Sequence, residues 1–189
     1  MKRQTVLRVA LLLLVCMLAL GKGDIAGALA TASALDYPVE GLTIDKLSTR
    51  SGPGTHYRET GTYKVQDQYV PLFSVAYDGS GVCWVQCDIP YGNKLRRLYT
   101  GLKRFDASTF DLSSLPEEDP MDFDERVRVL VTSKALYGPG RTYDVYDKLT
   151  VDKGQRVTVI AIQEDYAQVE WTTSKQSYRA WVLLSTLDY

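Results

Sequence analysis

Residues 52–57 read Gly-Pro-Gly-Thr-His-Tyr, and residues 138–143 read Gly-Pro-Gly-Arg-Thr-Tyr, so one motif occurs twice at an offset of 86 residues. Glycine reaches positive φ without strain and proline fixes φ, so this motif predicts a sharp chain reversal. Two further blocks repeat at an offset of 82 residues, 84–89 with 166–171 and 97–99 with 179–181. The chain is therefore predicted to hold two similar halves whose loops differ in length.

Within each half, apolar residues alternate with a period of two, which favours strands over helices. In residues 155–162, for example, Val157 and Val159 share one face while Thr158 and Ile160 share the other. The predicted strands are 69–77, 82–89 and 96–102 in the first half and 155–162, 168–171 and 178–182 in the second. Short strands separated by turn residues predict an all-β fold of two small barrels.

The first 30 residues are typical of a secretory signal peptide. A positive start is followed by an unbroken apolar run of twelve residues, 9–20, and then by small residues that fit a cleavage site. Such a run is shorter than the roughly 20 apolar residues of a membrane-spanning helix. We therefore predict export and no transmembrane span after cleavage, while an uncleaved anchor stays open as an alternative.

The two halves are separated by residues 106–125, which hold eight acidic residues and no Lys or Arg. This composition predicts a linker, because few of its side chains favour burial, although Phe110, Leu112, Met121 and Phe123 could still pack locally. A calcium-binding segment is the alternative, although the acids lack the spacing of a calcium loop. The predicted halves are thus 31–105 and 126–189, and each carries nine basic and seven acidic residues.

Composition also excludes some function classes. The whole chain has 22 basic and 23 acidic residues, which argues against a dedicated nucleic-acid binder. Its single histidine, His56, excludes a metal site built on two or more histidines. On one predicted strand, Cys83 and Cys87 would lie about 13 Å apart, too far for a disulfide, so free thiols are predicted. A bulge that brings them together, or pairing with another chain, is the alternative. Cys87 is expected to pack as a small hydrophobe, and we predict no enzyme, catalytic residue, cofactor or metal.

Residues 47–55, Leu-Ser-Thr-Arg-Ser-Gly-Pro-Gly-Thr, resemble the opening motif of bacterial Src-homology-3-like (SH3-like) domains. The turn and Val-rich strand at 153–157, the block 166–169 and the Ala-Trp-Val of 180–182 resemble the later motifs of that family. The resemblance implies two SH3-like barrels in tandem. Each half departs from the family pattern, since Tyr99-Thr100 replaces Trp-Val and Leu136-Tyr137 replaces Arg-Ser.

The resemblance implies a secreted or cell-envelope protein that binds without catalysis, with cell-wall peptidoglycan or its peptide stems as the expected ligand. A secreted protein-interaction or assembly module is the alternative. Candidate ligand-binding residues are Arg50, Tyr57, Trp84, Tyr143 and Trp181. The same aromatic residues could instead be packed in cores and loops, and Arg50 could brace its own loop by bonding carbonyls or an acid.

Five basic residues concentrate charge in the first half, namely Lys94, Arg96, Arg97, Lys103 and Arg104. A solvated hairpin is the simplest interpretation of this set. Contact with an acidic surface, such as teichoic acid, anionic lipid or the acidic linker itself, is the alternative.

Overall fold

Strands dominate the computed structural model, which describes residues 39–118 and 126–189. The predicted signal peptide (residues 1–30) and residues 119–125 of the predicted linker lie outside the described residues. Within the described ranges, the helical elements are three-residue 3-10 turns, and the prediction of an all-β fold is confirmed. No helix in these ranges has the length and apolar composition needed to cross a bilayer.

The first half forms one antiparallel sheet of six strands. The strands are β1 (Val39–Leu42), β2 (Leu47–Arg50), β3 (Glu59–Tyr63), β4 (Tyr69–Tyr77), β5 (Cys83–Tyr91) and β6 (Lys94–Gly101). Their order across the sheet is β1-β4-β5-β6-β2-β3. Strands β1 and β3 stand at opposite ends, so pairing among the described strands leaves this sheet open.

The second half forms an open sheet of seven strands. They are β7 (Val127–Val129), β8 (Ser133–Leu136), β9 (Val145–Val151), β10 (Arg156–Gln163), β11 (Tyr166–Thr172), β12 (Ser177–Leu183) and β13 (Leu187–Asp188). Their order is β13-β7-β10-β11-β12-β8-β9. The six strands predicted from sequence are β4, β5, β6, β10, β11 and β12, with ends that agree within two residues.

Strand pairing repeats between the halves. Arg50 pairs with Tyr99 in the first sheet, and Leu136 pairs with Trp181 at the equivalent position of the second. Both β4 and β10 carry a register shift at the same place in the hairpin that they form with the next strand. The duplication inferred from sequence therefore extends to pairing partners and to bulge positions.

Both faces of β5 are buried, although their chemistry differs. Val85, Cys87 and Ile89 are fully buried in the core of the first half. The opposite face carries Gln86 and Asp88, each 4% exposed, and it packs against the second half. Because water is excluded on both sides, the polar face needs hydrogen-bond partners from the other half. The described parts of both halves belong to one compact unit.

Part of the acidic segment packs against the first sheet instead of running free. The N–H of Val75 donates to the carbonyl of Pro116 (3.0 Å), and the N–H of Glu118 donates to the carbonyl of Val75 (2.8 Å). Leu115 is 4% exposed, and the ring of Phe110 packs edge-on against Phe105. The local packing of Phe110 and Leu112 agrees with the sequence-based expectation. Composition misses the backbone pairing with the edge of β4, because that pairing does not depend on side-chain hydrophobicity. We call residues 116–118 the edge segment.

The cysteine predictions are confirmed. Cys83 and Cys87 are both free, and Cys87 is fully buried among the core residues. Burial raises the pKa of the Cys87 thiol far above its usual value, with the Asp88 charge acting in the same direction. A protonated and inaccessible thiol behaves as a small hydrophobe.

Candidate functional site

The two Gly-Pro-Gly loops hold a tyrosine ring directly against a glycine. A Cβ atom on Gly52 would lie 2.3 Å from the Tyr57 ring, and one on Gly138 would lie 2.0 Å from the Tyr143 ring. Glycine is therefore required because any side chain would displace the ring. The loops fix where the tyrosines point.

Arg50 braces the first of these loops. One terminal nitrogen of its guanidinium donates to the carbonyls of Thr55 (3.1 Å) and Tyr57 (2.7 Å). Glu59 lies 3.9 Å from the other terminal nitrogen. The interpretation of Arg50 as a loop brace agrees with these contacts. The second loop has Leu136 at this position and therefore lacks the guanidinium.

Tyr57 and Tyr143 are closed off from solvent by the opposite half of the molecule. They are 6% and 8% exposed, so neither lines an open groove. The Tyr57 hydroxyl donates to the carboxylate of Glu170 in the second half. In reciprocal fashion, the Tyr143 hydroxyl donates to Asp88 in the first half (2.5 Å). Each surface that was expected to bind a ligand is thus occupied by the opposite half.

Each tyrosine–carboxylate pair is completed by an arginine. Nε of Arg179 donates to Glu170 (2.6 Å), and Nε of Arg97 donates to Asp88 (2.9 Å). A terminal nitrogen of Arg97 also donates to the Tyr143 hydroxyl. We call Tyr57, Glu170 and Arg179 the first interface cluster, and Tyr143, Asp88 and Arg97 the second interface cluster. The two clusters occupy equivalent positions of the duplicated sequence.

Burial keeps both tyrosines neutral. It raises the pKa of Tyr57 well above its usual value, and the positive charge of Arg179 offsets only part of that rise. Burial raises the pKa of Tyr143 in the same way, opposed in part by Arg97. Both hydroxyls therefore donate to a carboxylate as neutral phenols, and charge-assisted hydrogen bonds of this kind are stronger than neutral ones.

Backbone hydrogen bonds also join each Gly-Pro-Gly loop to the opposite half. The N–H of Arg58 donates to the carbonyl of Ser177 (3.1 Å), and the N–H of Ser177 donates to the carbonyl of His56 (3.1 Å). At the equivalent place, Asp144 donates to Leu95 (2.9 Å) and Leu95 donates to the carbonyl of Thr142 (3.0 Å). Each Gly-Pro-Gly loop therefore adds a short parallel bridge to the opposite sheet.

A buried polar centre lies between the halves. Nε2 of Gln86 and Nε2 of Gln168 both donate to the Tyr99 hydroxyl, at 2.7 and 3.0 Å. That hydroxyl donates in turn to the carboxylate of Glu118 (2.8 Å). Arg179 reaches the same carboxylate (2.5 Å), which joins this centre to the first interface cluster.

The two predicted tryptophans are also buried. Trp84 is 9% exposed, and its Nε1 donates to Asp78 (3.1 Å); this hydrogen bond is the main reason why the pKa of Asp78 is lowered. Trp181 is 3% exposed, and its Nε1 has no hydrogen-bond partner among the described residues. The structure thus brings Tyr57, Tyr143 and Trp181 to the contact between the halves, while Trp84 is tied to the turn that follows β4.

The interpretation of the basic hairpin as solvated is wrong for two of its residues. Arg96 and Arg97 are each 7% exposed. Arg96 donates to Asp144 of the second half (2.6 Å), and its guanidinium lies between the rings of Tyr91 (3.4 Å) and Tyr137 (4.4 Å). The aromatic faces and the carboxylate replace the water that the Arg96 guanidinium loses on burial. Composition does not predict these contacts, because they form between distant parts of the chain.

The two residues considered for nucleophilic catalysis, His56 and Cys87, lie in different surroundings. His56 is exposed and its ring packs against Tyr57, whereas Cys87 is buried in the core. Among residues 39–118 and 126–189, no group of three or more His, Cys, Asp or Glu residues is placed to hold a metal ion.

Sequence reasoning did not identify the five residues that complete the interface as interface residues, namely Asp88, Arg97, Glu118, Glu170 and Arg179. Arg97 was singled out only as one of the basic residues of the first half. A signal for four of the five was present, because Asp88 matches Glu170 and Arg97 matches Arg179 in the repeated blocks. Charged residues repeated within predicted strands mark a buried polar contact. Glu118 has no such match. No family model matches this chain, and no curated protein or solved structure matches it either.

Proposed function

We propose that this protein is an exported, non-enzymatic binding module of two bacterial SH3-like repeats, and that its ligand is cell-wall peptidoglycan or its peptide stems. The repeated strand order, the paired bulges and the two Gly-Pro-Gly loops support the assignment of two related repeats. The signal-like sequence of residues 1–30 supports export. The proposal places the ligand on the outer surface, since the contact between the halves fills the Tyr57 and Tyr143 surfaces.

The observation that carries the proposal is an exposed tyrosine fixed beside two cations, Lys94 and Arg141, for which the described residues supply no carboxylate partner. Tyr91 is 49% exposed, and the Arg96 guanidinium beneath its ring and the edge-on Tyr63 ring hold it in place. Lys94 is the cross-strand neighbour of Tyr91, and its ammonium donates to the backbone carbonyl of Arg141. We call these residues the Tyr91 surface.

This surface suits the mixed chemistry of peptidoglycan. A rigid tyrosine face packs against sugar rings at little cost in conformational entropy. Lys94 and Arg141 offer cations to the carboxylates of peptide stems. Of the candidate ligand residues, Arg50, Trp84 and Trp181 are then structural supports for the loops and the interface.

We propose a non-enzymatic function because the Cys87 thiol and His56 are poorly placed for nucleophilic catalysis. The Cys87 thiol is buried and its pKa is raised, so it cannot serve as a nucleophile at neutral pH, and the exposed His56 ring packs against Tyr57. A secreted protein-interaction or assembly module is the second candidate. The pairing of the edge segment with β4 favours it, because an edge of this fold there accepts an extended strand.

The test is retention of the mature chain, residues 31–189, on purified peptidoglycan at low ionic strength. We expect retention, and we expect Tyr91→Ala to reduce it about tenfold, since one stacked aromatic residue commonly dominates a small binding surface. Tyr189→Ala is the matched control, because Tyr189 is 56% exposed and lies outside the Tyr91 surface.

Two results would overturn the proposal. One is that the protein is not retained on peptidoglycan, whether the peptidoglycan carries teichoic acid or has been stripped of it. The other is equal retention of Tyr91→Ala and the unmodified protein. Retention that disappears on stripping would assign binding to the phosphate polymer and would also contradict it.

A further inference from the structure

We propose that the free edge of β10 around Ile162 binds an extended acidic peptide from a partner protein, in the way that the edge segment binds beside β4. This inference goes beyond the proposed function and does not depend on a cell-wall ligand. It rests on a difference between two equivalent edges of the duplicated fold.

The first half supplies the template. Val75 donates to the carbonyl of Pro116 and accepts from the N–H of Glu118, so residues 116–118 run parallel to β4 as an added strand. The Glu118 side chain then enters the interface. Its carboxylate accepts hydrogen bonds from Ser74, Tyr99 and Arg179.

Residue Ile162 is the counterpart of Val75. Each strand has one bulge in the ladder that it forms with the next strand, between Leu72 and Ser74 in β4 and between Val159 and Ala161 in β10. Just beyond the bulge, Val75 pairs with Val85 and Ile162 pairs with Ala167. Val85 and Ala167 are themselves equivalent at the 82-residue offset of the repeat.

The backbone of Ile162 points toward the open edge. Gln163 and Tyr166 flank a two-residue turn, so their pair is hydrogen-bonded, and the next pair in an antiparallel ladder is not. The N–H and C=O of Ile162 therefore face away from β11. Strand β7 pairs with β10 only at Arg156 and Val157, and no other described residue pairs with this edge. Ile162 is accordingly only partly buried, whereas Val75 is 4% exposed.

Donors for an incoming acceptor are already in place. Trp181 stands where the first half has Tyr99, and its buried Nε1 lacks an acceptor among the described residues. At this edge, Arg97 takes the place that Arg179 takes beside the edge segment. One of its terminal nitrogens donates to Oε1 of Gln163 (2.9 Å). Gln163 is exposed, so a carboxylate could replace its neutral oxygen. Unsatisfied buried donors are uncommon in proteins, which makes this one informative.

Charge selects the occupant. The edge segment that fills the equivalent place comes from the most acidic stretch of the chain, and the second half carries two more basic than acidic residues. An extended strand supplies the backbone hydrogen bonds, and one glutamate supplies the acceptor. A neutral or basic strand would leave the Trp181 donor unpaired beside Arg97.

The probe is the acetylated and amidated hexapeptide Ser-Ser-Leu-Pro-Glu-Glu, which has the sequence of residues 113–118. It is titrated into the ¹⁵N-labelled mature chain, residues 31–189, while the indole N–H resonance of Trp181 is followed. We expect a saturable shift of that resonance. A peptide with Gln in its last position should bind about tenfold more weakly, because it loses a charge-assisted hydrogen bond.

Two variants of the protein test the geometry with a fluorescent form of the same peptide. Ile162→Pro removes the outward N–H and should weaken binding at least tenfold, whereas Ile162→Val keeps the N–H and should bind normally. Trp181→Phe removes the indole donor and should weaken binding even if the proline variant does not fold. Tyr91→Ala should bind the peptide normally, which separates this inference from the cell-wall proposal.

The inference is overturned if the Trp181 resonance does not shift with millimolar peptide, or if the Glu and Gln peptides bind equally. Unchanged affinity in a folded Ile162→Pro variant, or in Trp181→Phe, would also overturn it.

Discussion

The two interface clusters are built from equivalent residues, but their arginines neutralise different numbers of carboxylates. In the first, Arg179 neutralises both Glu170 and Glu118, and Glu118 is brought in by the edge segment. In the second, Arg97 neutralises Asp88 alone, and the neutral Gln163 occupies its remaining terminal nitrogen. One inserted carboxylate thus separates two sites that duplication made alike. The difference shows that a connecting segment, as well as the duplicated cores, contributes to the joining of the halves.

The largest difference between the two clusters should appear when each arginine is replaced in turn. We expect Arg179→Met to lower the free energy of unfolding by about 3–5 kcal/mol, since it leaves the nearly buried carboxylate of Glu118 and the partly exposed carboxylate of Glu170 without a cation. Arg97→Met leaves one and should cost less. Arg104→Met is the control, because its pair with Asp45 is partly exposed and should contribute about 0–1 kcal/mol. Urea denaturation measures all three, and equal losses for Arg179 and Arg97 would contradict the comparison.

The glycine–tyrosine contact should be alike in both halves. Gly52→Ala and Gly138→Ala each push a methyl group into a tyrosine ring, so each should cost about 1–3 kcal/mol of stability through overpacking. Gly79→Ala is the matched control, since a Cβ at that turn position meets no atom within 4 Å. Thermal unfolding gives the comparison. A stable Gly138→Ala variant would mean that Tyr143 can be moved without loss.

Alkaline pH tests whether the two tyrosines behave alike. Burial raises the pKa of both above the unfolded value of 10.0, so the folded state retains protons that the unfolded state releases. Stability is therefore complete below about pH 10 and falls above it, by about 1.4 kcal/mol per pH unit for each such tyrosine. Tyr57→Phe and Tyr143→Phe should each flatten the fall by an equal amount in urea titrations from pH 8 to 11. A steeper fall in either variant would reverse the assigned sign.

The smallest expected effect concerns the loop brace that only the first half has. Arg50→Leu copies the residue found at position 136 and removes two hydrogen bonds to loop carbonyls. Because Arg50 is partly exposed, we expect a loss of about 0.5–1.5 kcal/mol. Hydrogen exchange should show faster opening at Tyr57 but not at Tyr143. Equal acceleration at both positions would show that the brace supports the whole interface.

Much of the fold was predictable because strand periodicity and turn residues are local signals. Alternating residues predicted β4, β5, β10 and β11, and the repeated Gly-Pro-Gly motif predicted the duplication. The edge segment was not predictable, since its pairing depends on an unpaired stretch of β4 that only the folded sheet creates. The candidate residues Tyr57 and Tyr143 were found, but what they bind was not.

The sequence by itself determined an all-β chain of two similar halves, because the alternation of apolar residues and the positions of glycine and proline act over a few neighbours. It also predicted that Cys83 and Cys87 do not bridge, since four residues of a regular strand hold them too far apart. Only the tertiary structure decided that Tyr57 and Tyr143 are each covered by the opposite half. That outcome depends on hydrogen bonds between residues about 50 to 110 positions apart, such as Tyr143 with Asp88 and Tyr57 with Glu170, and no local pattern encodes such pairings.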